Sequence, residues 1–161
     1  MFRFLKVDQL LRDLGEVGYG WDSLRSYVQE WSFPKRYPSP RAIRESLAKF
    51  SASEQLSLSP VLRMWVLEEV FPNLEGPVLA PKLKSALYLC DVVELLQASR
   101  SNSGSPTLLE AAVMRHLAAQ QEASGESLWL PKCHYAIHLA SQWETHGTLL
   151  STFVHERNHK E

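Results

Sequence analysis

Cysteine is scarce in this chain. Cys90 and Cys133 are its only two, too few for a disulfide framework, so a reduced intracellular setting is the simpler expectation. An excess of one charge sign is missing as well. Seventeen Lys and Arg face 18 Asp and Glu, for a formal net charge of −1 and a pI near 6.6. That balance exerts no global pull toward nucleic acid or anionic membrane, and binding of either kind has to rest on a local patch. No apolar run approaches the roughly 18 residues of a spanning helix, so no membrane partner is expected. The opening MFRFLKVDQLLRDLG lacks the apolar centre and small-residue cleavage site of a signal peptide. Alternating strands of convincing length are absent, as are internal repeats. What is present is 161 residues, 45% hydrophobic and 22% charged, which argues against disorder. One domain of this size buries roughly 70% of the surface its unfolded chain exposes.

Hydrophobic spacing then divides the chain into helices. Leu5, Leu10, Leu11 and Leu14 recur at helical intervals, with Gly15 as the expected C-terminal cap. Trp21, Leu24, Tyr27, Val28 and Trp31 give a second helix an aromatic face that stops before Phe33-Pro34. After PKRYPSPR, Ser39 and Pro40 start a third helix carrying Ile43, Leu47 and Phe50. Ser53 opens a turn with Leu56 and Leu58, and Ser59-Pro60 is expected to restart the register before VLRMWVLEEVF. Lys82 to Ala98 is apolar on three sides and reads as the central buried helix. SRSNSGS is a loop, and Ser105-Pro106 caps another amphipathic helix that ends near Gly125 and includes His116. The expected fold is all-α, a single irregular bundle of about seven helices over 1–161. Residues 1–130 form its helical body and 131–161 a histidine-rich terminal segment.

That terminal segment carries the residue types closest to chemistry. Five of the six histidines lie in it, with Cys133 and the string His155-Glu156-Arg157-Asn158-His159. A helix from Pro131 to His146, capped by Gly147, would put Tyr135, Ala136, Leu139, Ala140 and Trp143 on one face and His134, His138, Ser141 and Thr145 on the other. An i, i+4 histidine pair can chelate a metal through neutral imidazole nitrogens; it can equally be solvated or bonded to a neighbouring helix. His155 and His159 are again four apart in an expected last helix, Ser151 to Lys160, and with Glu156 they spell the zinc-peptidase string. Such a site needs a third ligand downstream, where only Lys160 and Glu161 follow, and the charged Arg157 interrupts the motif. Incidental spelling is therefore the preferred reading. A structural zinc site drawn from His134, His138, His155, His159 and Cys133 has suitable ligand types, but its spacing matches no specific zinc module.

The stretch PKCHYAIHLASQWETHGTLLSTFVHERNHK resembles the closing segment of the transposase domain of CACTA-type DNA transposons and of transposase-derived proteins. That family carries a Pro-x-x-His-x-x-x-His-Leu helix, a Gly-x-Leu turn and a Phe-x-x-Glu-Arg run. The matching positions are Pro131, His134, His138, Leu139, Gly147, Leu149, Phe153, Glu156 and Arg157. Upstream, SYVQEWSFPKR, SASEQLSLSPVLRMWVLEEVFP and LYLCDVVELLQ resemble the helical region placed between such enzymes' catalytic acids. The resemblance implies an RNase H-like parent whose DDE triad holds two divalent ions, Mg2+ in the intact family, for strand cleavage and transfer. It implies that Glu156 matches the last acid, with Arg157 near phosphate, and that DNA is the partner and the nucleus the setting. No Asp-x-x-His, the family's usual second-acid string, occurs in this sequence. One carboxylate does not hold two metals, so the expectation is a catalytically incomplete, truncated copy that is not itself an enzyme and has no cofactor of its own. A missing N-terminal catalytic portion, or self-association in its place, follows from that expectation.

Two binding readings stand beside it. Lys35, Arg36, Arg41, Arg44 and Lys49 face the single Glu45, with Trp31 and Tyr37 nearby, a set that can neutralise phosphates and stack on bases, or simply form a solvated face. The aromatic stripe Trp21, Tyr27 and Trp31 is the candidate for a helical protein-interaction surface.

Overall fold

The computed structural model describes residues 5–33, 52–74, 79–101, 103–124, 131–147 and 149. All regular structure among them is helical, as the hydrophobic spacing predicts: α1 (Leu5–Gly15), α2 (Trp21–Glu30), α3 (Ala52–Trp65), α4 (Ala80–Arg100), α5 (Pro106–Ser124), α6 (Pro131–Ile137) and α7 (Leu139–His146). The helix expected from Pro40 and the one expected from Ser151 lie outside the described residues.

Helix α1 does not stop on a left-handed Gly15. The chain makes one more turn, the Gly18 amide donates to the Gly15 carbonyl (3.3 Å) and the Tyr19 amide to that of Leu14 (2.9 Å). Gly18 takes the positive φ of 90° that closes this paired-bond cap. The cap returns Tyr19 to the apolar cluster around Leu14, and α2 starts two residues later.

Ser59-Pro60 does not restart a helix either. Pro60 sits inside α3, where it removes one backbone donor at a cost of about 3 kcal/mol in an isolated helix. Leu58, Val61, Leu62 and Trp65 are all buried around it at helical spacing, and at about 1.5–3 kcal/mol for each large apolar side chain their burial offsets that cost. Beyond Trp65 the helix widens into a π turn, Val66–Val70, in which the Phe71 amide reaches back to the Val66 carbonyl. That keeps Val66 and Val70 both buried while Glu68 and Glu69 face out. A 3-10 turn, Phe71–Asn73 with Pro72 in it, ends the element.

Helix α4 is the spine. Leu83, Ala86, Leu89, Cys90 and Val93 belong to one apolar cluster with α1, α2 and α3. Val92, with Leu95 and Leu96 flanking it, belongs to a second cluster with Leu109, Ala112, Val113 and Leu117 of α5, Ala136 of α6 and Trp143 of α7. Being apolar on three sides is what lets one helix serve both. On the α5 side His116 is buried and its Nδ1 donates to the Ser85 carbonyl at 2.9 Å; a carbonyl can only accept, so Nδ1 carries the proton. Arg115 lies over the Tyr88 ring, 5.5 Å from its centroid. Among the described residues no helix is long and apolar enough to cross a membrane.

Candidate functional site

The expected single helix from Pro131 to His146 is two helices. The His138 amide bonds to the Tyr135 carbonyl three residues back, at 3.2 Å, in a turn that separates α6 from α7, which begins at Leu139. Gly147 closes α7 with a left-handed φ of 68°, as expected of a glycine in that position. Ala136 and Trp143 are buried in the second cluster and Ala140 is buried as well, but Tyr135, expected on the same face, is 69% exposed. Even at a uniform 100° step Tyr135 stands roughly 80–140° away from Ala136, Ala140 and Trp143, outside the stripe they form.

On the exposed side the structure brings His134 and His138 together. Their Nε2 atoms are 3.4 Å apart, and the rings meet edge to face with 4.8 Å between centroids and 81° between planes. The Ser141 and Thr145 hydroxyls, on the same side, donate to the carbonyls of His138 (2.9 Å) and Ser141 (2.8 Å). No group of three or more His, Cys, Asp or Glu side chains converges among the described residues. Cys133 lies on α6. His155, Glu156, Arg157 and His159 lie outside the described residues, as do Lys35, Arg36, Arg41, Arg44 and Lys49.

The other thiol is no nucleophile in the folded chain. Burial pushes the Cys90 thiol up to about 11, against a smaller lowering effect of its hydrogen bond to the Ser59 carbonyl, so the reactive thiolate is suppressed at neutral pH. The aromatic stripe of α2 is committed too: Trp21, Tyr27 and Trp31 lie half-buried against the first cluster, with Tyr27 and Trp31 rings 6.2 Å apart.

Sequence reasoning assigned no role to an open cleft of about 700 Å³ where α1 meets α2, lined among others by Arg12, Gly18, Gly20, Trp21, Asp22 and Arg25. The glycine spacing of GEVGYG was its only signal. Its cations are already engaged, Arg25 with Asp22 at 2.6 Å and Arg12 with the Gln9 amide oxygen at 3.4 Å, which weakens it as an anion site.

Comparison of the chain with protein-family models, curated proteins and solved structures finds no significant match.

Proposed function

We propose that this chain is a helical, catalytically incomplete part of a DDE-type DNA transposase, or of a protein derived from one. The observation that carries this reading is the residue order of the closing stretch: Pro131, His134, His138 and Leu139, then Gly147 and Leu149, then Phe153, Glu156 and Arg157. An all-helical body is compatible with the region such enzymes place between their acids. In this reading Glu156 is the remaining member of the triad, a carboxylate suited to a hard divalent ion, and DNA is the partner. A single such acid, with no Asp-x-x-His string in the sequence, leaves the two-metal arrangement unfilled, so the chain alone does not cut or join DNA.

The test has two arms. Purified protein incubated with supercoiled plasmid and Mg2+ or Mn2+ is expected to leave the DNA intact; metal-dependent cleavage abolished by Glu156→Gln overturns the claim of incompleteness. Sequencing of full transcripts and flanking genomic DNA is expected to reveal an in-frame Asp-x-x-His string upstream. Flanks without any acid-bearing reading frame or terminal repeats overturn the transposase origin itself.

A further inference from the structure

The pairing of His134 and His138 has a chemistry of its own. Two imidazole nitrogens 3.4 Å apart repel if both present bare lone pairs to one another. Either one carries a proton that the other accepts, or a cation lies between them. We propose that His134 and His138 form a two-nitrogen clamp for a tetrahedral dication of the Zn2+ type. Zinc bonded to imidazole nitrogen at about 2.05 Å, with a tetrahedral angle, holds its two donors about 3.3 Å apart; a square-planar ion of similar bond length holds adjacent donors only about 2.9 Å apart. The observed span of 3.4 Å matches the tetrahedral ion better than the square-planar one.

The backbone holds this clamp in position. The His138 amide donates to the Tyr135 carbonyl, and the His138 carbonyl accepts both the Gln142 amide at 3.0 Å and the Ser141 hydroxyl at 2.9 Å. Ala136 of α6 and Trp143 of α7 anchor both helices in the second cluster. Little beyond two ring rotations is left to order when the ion arrives, and that preorganisation favours binding. Ser141 and Thr145 have turned their hydroxyls to backbone carbonyls, so the ion's remaining positions go to water. The clamp does not depend on the transposase reading.

The test is a calorimetric Zn2+ titration of the full chain in a His155→Asn/His159→Asn background, which removes the other two i, i+4 histidines. One zinc per chain is expected. Adding His134→Gln or His138→Gln, each alone, is expected to weaken binding about tenfold or more, because one imidazole loses the effective concentration that the second supplies. His146→Gln, a lone exposed histidine at the end of α7, should change it by less than about twofold by the same reasoning. In ¹⁵N spectra the ring nitrogens of His134 and His138 should shift together on adding zinc. One zinc per two chains with the same losses also upholds the clamp, a second copy then replacing water. No zinc bound in this background, or an affinity indifferent to either substitution in a chain whose circular dichroism is unchanged, overturns it.

Discussion

The two apolar clusters that share α4 are fastened by different means. Around the first, polar side chains tie helices distant in sequence: Lys82 to Asp13 at 2.5 Å, Tyr27 to Glu68 at 2.5 Å, the Trp65 indole to the Ser23 hydroxyl at 3.1 Å, and Arg63 to Asp91 at 2.6 Å with Glu94 at 3.2 Å. Around the second, among the described residues, His116 is tied to Ser85 across α5 and α4. Among the described residues of α6 and α7 are side-chain bonds that span three or four residues, His134 to His138, Ser141 to His138 and Thr145 to Ser141. The first region spends its polar groups on holding helices together. The second holds largely by apolar packing, and the imidazoles of α6 and α7 face outward.

The largest test of this contrast is a pair of tryptophans. Trp65 is fully buried in the first cluster and Trp143 is 4% exposed in the second. Trp65→Ala should cost about 4 kcal/mol, cavity and lost indole bond together, and Trp143→Ala about 3 kcal/mol. Urea unfolding gives both values, and Cys90 alkylation below the transition reports which cluster has loosened. Because the Cys90 thiol is buried in the first cluster, Trp65→Ala should accelerate its modification and Trp143→Ala should not. Equal acceleration by both would mean that the clusters open as one unit, and the contrast would fail.

Next in size is Gly20→Ala. A Cβ at Gly20 would stand 2.9 Å from the Gly15 Cα and 3.4 Å from the Leu11 carbonyl oxygen. Backbone cannot swing aside as a side chain does, so α2 must lift from α1 at a cost of about 1–3 kcal/mol. Thermal unfolding measures it. If the loss is negligible, the α1–α2 contact is looser than that of a first cluster pinned by long-range ties.

How much of this was legible in the letters depended on whether local signals and burial agree. Ser105-Pro106 follows a polar loop, and α5 begins there as read, with the Leu109 amide on the Ser105 carbonyl. Ser59-Pro60 uses the same two letters but lies inside the stripe Leu58, Val61, Leu62 and Trp65, where burial overrides the proline signal. Gly15 and Gly18 are both plausible caps; which takes the positive φ is decided by the return of Tyr19 to the core. Nothing in the letters His138-Leu139 marks a break, so the turn there is not legible, whereas the exposure of Tyr135 follows from helical spacing, which sets it roughly 80–140° from Ala136, Ala140 and Trp143. The histidine spacing was legible as a pair, while its 3.4 Å span needed coordinates. Glu156 and the basic run from Lys35 to Lys49 lie outside the described residues, and their roles rest on the sequence alone.

Two smaller predictions concern the ties of the first region. Burial, and then the hydrogen bond to Glu68, push the Tyr27 phenol up to about 12. A phenol whose pKa rises on folding contributes stability that is fully present below its unfolded value of about 10 and is lost as pH rises through the folded value. Tyr27→Phe should therefore cost about 0.5–1 kcal/mol at neutral pH, modest because the bond is exposed. The gap between wild type and variant should close between about pH 10 and 12. A gap that is constant over that range would show that the Tyr27–Glu68 bond does not couple α2 to the π turn.

The smallest effect is expected at Asp13. Burial raises its carboxyl, but hydrogen bonds from Lys82 and Gln9, with the charges of Lys82 and Arg12, outweigh that and hold it below 3.8. For a carboxyl lowered on folding, the stabilising contribution is present above the unfolded value and disappears as pH falls through the folded one. Asp13→Asn should then cost about 0.5 kcal/mol at pH 7, as partly exposed ion pairs do, and the difference should vanish as pH drops below 3.8. The Gln9 side-chain amide donates to the other carboxylate oxygen at 2.8 Å, and an asparagine carbonyl can still accept it, so what the variant removes is the charge facing Lys82. Combining Asp13→Asn with Lys82→Met isolates that pair, since the coupling of the two substitutions is the energy of the tie and nothing else in the cycle changes sign with pH in the acid range. A coupling that persists below the Asp13 titration would mean that Lys82 holds α1 to α4 through its alkyl stem, and the first region would then be packed in the same way as the second.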